Sequence, residues 1–391
     1  MSTEAFMNTY ARYPDAMVEG HGCTLVDQKG KRYLDLLAGV AVVAVGHANE
    51  TVAEAISKQA RIVCHTSNYF WNLPGLKLAE RLREISGEDY RSFFANSGTE
   101  ANECAIKLAR KWGNRAGKFK IIAADRSFHG RTLAALSATG QPSKWEGFEP
   151  LVPGFTHCPL NDLAAWETAI DRETAALLVE PIQGEGGIFP ASESFLKGLR
   201  ALCDKHGLLL IFDEIQSGCG RTGTWWAWQS YGVKPDIFTS AKGLGNGMPI
   251  GACLALPHVA DAYKPGSHGS TFGGGALAAS AALATLEVIE TQNLRQNAER
   301  LGDLVKTLLI GAPHVIEVRG KGLMLGVQLD GDLSDAIVRK LFSLGIIANA
   351  VTPSVIRLVP PLSITEAELT HGVKIICEVL HAVETAPTRD L

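Results

Sequence analysis

The chain has 391 residues, 46% of them hydrophobic and 20% charged, too apolar for a disordered chain and too long for one simple core. Its formal net charge is -4, and no Lys/Arg cluster tracks a phosphate backbone, which argues against a nucleic-acid partner. No uncharged stretch reaches the roughly 18 apolar residues of a membrane helix, the opening MSTEAFMNTYARYPD lacks the apolar segment of a secretory signal, and the eight cysteines show no C-x-x-C spacing of a zinc site or disulfide framework. The expectation is a cytoplasmic two-domain enzyme with reduced thiols.

In chain order, residues 18 to 37 alternate apolar and polar around Asp27 and Gly30 and read as a hairpin. The small apolar run after them ends in Gly46-His47, and His47 reads as a structural cap because no Ser or Cys nucleophile is paired with it. Phe93-Phe94-Ala95 reads as a strand running into a helix: Ser97 and Glu100 spell a capping box, and Ala101, Ala105, Leu108 and Trp112 share one face. A helix starting at Gly98 offers free amides to an anion, with the Thr99 hydroxyl beside them, although the spacing alone fits a plain cap equally well. After a strand at 119 to 124, the run Ser127-Phe128-His129-Gly130-Arg131-Thr132 holds an aromatic that by itself reads as core and an arginine that by itself reads as surface. A buried strand over 175 to 179 leads to Glu180 and to Glu185, whose flanking glycines make it either a functional carboxylate or a turn acid.

The densest signal lies between Leu208 and Ala255. Leu208 to Phe212 is a continuous apolar run, as in a strand covered on both faces of a parallel sheet. Asp213 and Glu214 follow it, at the strand end where open α/β sheets place ligands, and Gln216 stands three residues on. Gly218, Gly220 and Gly223 match the G-x-G-x-x-G dinucleotide pattern, but Asp213 to Ser217 intervene after the strand and Trp225, Trp226 and Trp228 follow, so a dehydrogenase is disfavoured. Ile237-Phe238 leads to Ser240-Ala241-Lys242-Gly243, a lysine among small residues before another apolar run. Burial lowers a lysine's pKa and makes it a nucleophile toward carbonyls. An acid after one strand and such a lysine after the next is the pair pyridoxal phosphate chemistry requires: the lysine holds the aldehyde as a Schiff base and the carboxylate keeps the ring nitrogen protonated.

His268 to Gly274 is a glycine-rich connection, and from about Thr291 the pattern shifts to a smaller α+β unit. Residues 323 to 329 read as a strand and 335 to 344 as a helix. Thr365 with Glu368 caps a last helix, and Arg357 stands alone among apolar neighbours, where it needs a buried anion or an edge position.

The segments FDEIQSGCGRTG and PDIFTSAKGLGNGMPIGA resemble the class III (subgroup II) aminotransferases, and the resemblance covers nearly the whole chain. It implies an α/β fold of type I, with a large domain over 48 to 290 holding a mostly parallel seven-stranded sheet, a smaller α+β domain over 291 to 391, and residues 1 to 47 joining the latter. It implies pyridoxal 5'-phosphate as cofactor and a homodimer with shared active sites. Lys242 and Asp213 would be catalytic. Ser97, Gly98 and Thr99 would hold the phosphate, Phe128 would stack on the ring, Gln216 would meet its phenolic oxygen, and Thr271 would reach the neighbouring subunit's cofactor. Arg131, Glu185, Ser270 and Arg357 would meet substrate. One departure stands out: many relatives continue G-G-N-P where this chain has Gly275-Ala276, which puts the rigidity of that loop in question. The expected reaction moves the δ-amino group of N2-acetylornithine to 2-oxoglutarate, with ornithine, succinylornithine, succinyl-diaminopimelate or 4-aminobutyrate as other donors and an aminomutase as a further alternative. Ornithine-specific relatives place a tyrosine where the alignment puts Val40, and a valine cannot pair with a free α-ammonium.

Overall fold

The computed structural model describes residues 5–383. Its centre is a seven-stranded sheet in the order Arg91–Ala95, Gly251–Ala255, Ile237–Ser240, Leu209–Asp213, Thr174–Val179, Lys120–Ala124, Phe155–Cys158. Gly251–Ala255 runs antiparallel to both its neighbours, and the other pairings are parallel. A mostly parallel sheet is stable only when helices cover both faces, and the side chains show both covers. In the fully buried strand Leu209–Asp213, Leu210 and Phe212 join the core with Phe195 and Leu199 of the helix Glu193–His206. Leu209 and Ile211 join Ala105, Ile106 and Leu108 of the helix Gly98–Gly113 on the opposite face. Alternation along the strand then turns Asp213 toward that second helix.

Six of the seven strands share one direction, so Ala95, Ala124, Val179, Asp213 and Ser240 all end at the same edge of the sheet. The glycine-rich dinucleotide turn, disfavoured from the sequence, does not form there: residues 214 to 224 pass through turns and the next helix is the short Ala227–Tyr231.

The N-terminal hairpin forms around Asp27, whose Oδ1 accepts the amides of Lys29 and Lys31 at 2.8 and 3.0 Å. Its strands Thr24–Asp27 and Arg32–Asp35 are joined by Met17–His21 on one side and by Ile346–Ile347 on the other, which ties the first residues to the C-terminal part of the chain. His47 is structural: its Nε2 lies 2.8 Å from Asp35 Oδ2. A separate four-stranded antiparallel sheet, Val315–Lys321, Met324–Leu329, Val355–Leu358 and Asn349–Thr352, carries Arg357. The last helix, Glu366–Ala382, opens with the expected Thr365–Glu368 capping box. The eight cysteines are free thiols, and among the described residues no helix is long and apolar enough to cross a membrane.

Candidate active site

A cavity of about 360 Å³ opens at the shared strand edge, lined by Ser97, Gly98, Thr99, Phe128, Arg131, Glu185, Asp213, Gln216 and Lys242 among others. Each of these was expected from the sequence. The strand ends place them: Ser97 follows Arg91–Ala95, Phe128 follows Lys120–Ala124, Glu185 follows Thr174–Val179, Asp213 closes its own strand, and Lys242 follows Ile237–Ser240.

Ser97 caps the helix Gly98–Gly113 by accepting the Glu100 amide at 3.3 Å. The second half of the expected capping box is displaced by one residue, because the Glu100 carboxylate takes the amide of Asn96 instead of that of Ser97. The Gly98 and Thr99 amides, in the first turn, have no acceptor within the helix and face the cavity at its positive end. The Thr99 hydroxyl pairs with that of Thr132 at 2.8 Å, which ties the anion end to the loop carrying Arg131.

Asp213 is 5% exposed and its oxygens are held from three directions. Asn102 Nδ2 donates to Oδ2 at 2.8 Å, His129 Nδ1 lies 2.8 Å from the same oxygen, and the Ile215 amide donates to Oδ1 at 3.0 Å. Asn102 is fixed in turn by Thr239, whose hydroxyl donates to Asn102 Oδ1 at 2.8 Å, and by the His129 carbonyl at 2.7 Å. Sequence reasoning assigned no role to Asn102 or His129. The signal for Asn102 was a lone amide beside Ala101 and Ala105 on the buried side of a helix; His129 stood inside the quoted Ser127-to-Thr132 run.

Lys242 sits at φ 42°, a left-handed conformation that a side chain other than glycine adopts at a cost and that recurs at functional sites. Burial depresses its ammonium pKa, against the opposing pull of Glu185, which leaves more of the neutral nucleophilic amine. Glu180, also on the cavity wall, is pushed up to about 7 by burial; its two oxygens accept the amides of Phe128 and Gly184, each at 3.1 Å.

Arg357 is 2% exposed, and its anionic partner is the partly exposed Glu185. Its Nη1 also reaches Gln216 Oε1 at 3.3 Å, and its Nη2 reaches Asn349 Oδ1 at 2.8 Å, while Nε has no partner. Burial raises the Glu185 pKa, but Arg357, Lys242 and the Gln216 side chain together outweigh it and hold the carboxylate below its ordinary range. Arg131 is exposed, with its guanidinium 5.7 Å from the centre of the Phe128 ring.

Ser270 and Val40 lie off this cavity, and so does Thr271, which was expected to serve the neighbouring subunit. Ser270 turns its hydroxyl to the Gly273 amide at 3.0 Å and to Asn96 at 3.3 Å, so it does not line this chain's cavity. Thr271 lies in a separate small hollow with Ser67 and Asn68. The segment before Gly46 contributes Val42, not Val40, to the cavity wall, because Gly39 and Val40 at φ 61° and 68° break the short helix they belong to. The substitution at Gly275-Ala276 leaves the next helix intact: Gly275 is its N-cap and Ala276 its first residue.

The residues present fit pyridoxal phosphate. First-turn amides suit a phosphate, a buried carboxylate suits a protonated ring nitrogen, an aromatic suits the ring face and a lysine suits the aldehyde, and all of them line one cavity.

Comparison with known proteins agrees with this geometry. Residues 7–380 match the family model of aminotransferase class-III. The acetylornithine aminotransferase of Methanopyrus kandleri is 48% identical over 379 residues, spanning 96% of this chain and 97% of that protein; that of Methanothermobacter thermautotrophicus is 46% identical over 378 residues, 96% of each. Among solved structures, the ornithine aminotransferase from Toxoplasma gondii superposes with a TM-score of 0.93 at 36% identity, covering 97% of this chain and 93% of its own. The chain belongs to the class-III aminotransferases, enzymes that work with pyridoxal phosphate.

Proposed function

We propose that this protein is an acetylornithine aminotransferase, moving the δ-amino group of N2-acetylornithine to 2-oxoglutarate to give N-acetylglutamate 5-semialdehyde and glutamate, a step of arginine biosynthesis in the cytoplasm. The observation that carries the reading is the pair of arginines around Lys242: Arg131 open to the cavity, and Arg357 covered by Glu185. An ω-amino donor presents one distal carboxylate, which Arg131 can take while Glu185 keeps Arg357 neutralised. A dicarboxylate has a second carboxylate beside the reacting carbon, which requires Arg357. The cavity wall at Val42 offers no hydrogen bond to a free α-ammonium, whereas acylation replaces that ammonium by a neutral amide. Relatives at 48% and 46% identity carry the same activity.

Pyridoxal phosphate, when bound, supplies the aldehyde that accepts the amino group and the ring that draws electrons from the substrate carbon. The chain's own residues do the rest. Lys242 would hold the cofactor's aldehyde and, once freed by the incoming amine, would take a proton from the amino-bearing substrate carbon and deliver it to the former aldehyde carbon of the cofactor. Asp213, held by Asn102 and His129, keeps a proton at the ring nitrogen. Gly98 and Thr99 would hold the phosphate with Ser97 at the cap, Phe128 would pack on the ring, and Gln216 would meet its phenolic oxygen.

The working unit in this reading is a homodimer. Tyr69, Phe70 and Trp71 are 93%, 71% and 86% exposed and adjacent, an apolar surface that a second copy would cover, and Thr271 lies away from its own chain's cavity, which supports a role at a neighbour's.

The donor is tested by kcat/KM for N2-acetylornithine and ornithine at the same saturating 2-oxoglutarate. The acetylated donor is expected to be favoured by about a hundredfold, the effect of leaving one ammonium unpaired at roughly 2 to 3 kcal/mol. Parity, or a preference for ornithine or 4-aminobutyrate, would reassign the donor.

A further inference from the structure

The Glu185 backbone is fixed on both sides. Before it, the Gly184 amide donates to the buried Glu180 carboxylate at 3.1 Å, and a Cβ at Gly184 would lie 2.4 Å from the Gln216 side chain. After it, Gly186 packs so closely on the Arg126 carbonyl that a Cβ would lie 2.7 Å from the oxygen. Then comes Ile188, a β-branched residue at φ 55° and 0% exposed, a conformation such side chains avoid and keep only where their surroundings enforce it.

The enforcing group comes from the four-stranded sheet that also carries Arg357. Arg319, in Val315–Lys321, has a side chain 9% exposed. Its Nε donates to the carbonyls of Gly187 and Ile188 at 3.1 and 2.9 Å, and its Nη2 to Gly187 again at 2.8 Å. Nη1 is held by Glu317 at 2.6 Å and Gln328 at 3.0 Å, and the guanidinium lies over the Phe189 ring at 3.9 Å from its centre. Two of its five N–H groups, that of Nε shared between two carbonyls, are thus spent on one strained turn, and the Nη1 contacts hold the guanidinium in place.

We propose that Arg319 is a positioning residue for the Glu185 gate: it locks the backbone from Gly187 to Phe189, so that Glu185 leaves Arg357 by turning its side chain alone. This rests on the reading of Glu185 as the group that covers Arg357 while the ω-amino donor is bound. A locked backbone returns the carboxylate to the same place after each dicarboxylate departs, and keeps Arg357 covered for most of the time. With the lock removed, Arg357 is uncovered in a larger fraction of molecules, and the apparent dissociation constant of a dicarboxylate falls in proportion.

The experiment uses the holoenzyme and its Arg319→Met, Arg319→Lys and Glu185→Ala variants. Glutarate, an unreactive dicarboxylate, is titrated by calorimetry, and single-turnover rates are measured with glutamate and with N2-acetylornithine. Arg319→Met is expected to bind glutarate roughly three- to tenfold tighter and to raise the glutamate rate relative to the acetylornithine rate by a similar factor. Arg319→Lys falls between it and the wild type, because an ammonium keeps the charge but not the planar fork. Unchanged or weaker glutarate binding, or equal losses in both half-reactions, would overturn the proposal. If Arg319→Met does not fold, Phe189→Leu, which removes the stacking surface and keeps the arginine, carries the same expectations at smaller size. A Glu185→Ala variant with unchanged glutarate affinity would instead refute the gate itself. A shift in Glu185→Ala without one in the Arg319 variants would refute only the role of Arg319.

Discussion

The two ends of the cavity are built differently. At the cofactor end, Asp213 is 5% exposed and Asn102 1%, and Asn102, His129 and the Ile215 amide hold the carboxylate from helix, loop and strand end. At the substrate end, Glu185 has a side chain 29% exposed, Arg131 is exposed, and Arg357 keeps one buried nitrogen without a partner. The cofactor's requirements are the same in both half-reactions, so a rigid carboxylate held by three neighbours suits them. In the proposed reaction the two substrates carry different charges at the same place, so one ion pair there would have to open. The fixed group comes from the end of a central strand, and the adjustable pair from a loop facing a second sheet.

The largest way to break this comparison is at Lys242. Lys242→Ala is expected to lower kcat with N2-acetylornithine and 2-oxoglutarate by on the order of 10⁴-fold or more, since nucleophile and proton carrier go together, with no lysine-bound cofactor recovered after borohydride reduction and peptide mapping. A labelled peptide carrying another lysine would refute the assignment. Asp213→Ala comes next, about 10² to 10³-fold in kcat, with both half-reactions slowed alike; damage confined to one of them would mean that the cofactor end is not the constant one.

A smaller effect tests the buried acid beside it. Glu214 is 0% exposed and burial pushes its carboxyl up to about 7 from an ordinary 4.5, even though Ser217 and the Trp228 amide donate to it at 2.6 and 2.8 Å. A carboxyl whose folded pKa is raised contributes stability that is fully present below the unfolded pKa and is lost as pH rises through the folded one. Stability should therefore fall between about pH 4.5 and 7, by about 3 kcal/mol for this group. Glu214→Gln should remove that part of the decline in denaturant melts across the same pH range; an unchanged slope would place the proton elsewhere.

Much of this site was legible in the chain because its residues follow directly from strand ends. An apolar run that stops at Asp213, another that stops before Lys242, and a cap at Ser97 each announce where a side chain meets the cavity. Asn102 was not legible, since its contact with Asp213 spans 111 positions and depends on which sheet face the acid takes. The displaced capping box had the same cause: Glu100 could reach either of two successive amides, and only the approach of Asn96 decides between them. Val42 replaced Val40 on the cavity wall because consecutive left-handed residues at Gly39 and Val40 turn the segment in a way that no periodicity reveals. Ser270 and Thr271 lie off this cavity, and a role for them needs a second chain, which a single sequence does not specify geometrically.

The most direct test of the contrast between a fixed and an adjustable end is a stopped-flow comparison of wild type and Glu185→Ala holoenzyme, each reacted once with N2-acetylornithine and once with glutamate. With Arg357 permanently uncovered, the glutamate rate relative to the acetylornithine rate should rise at least about tenfold, the size of one charge-assisted hydrogen bond. An unchanged or lowered ratio would contradict the account.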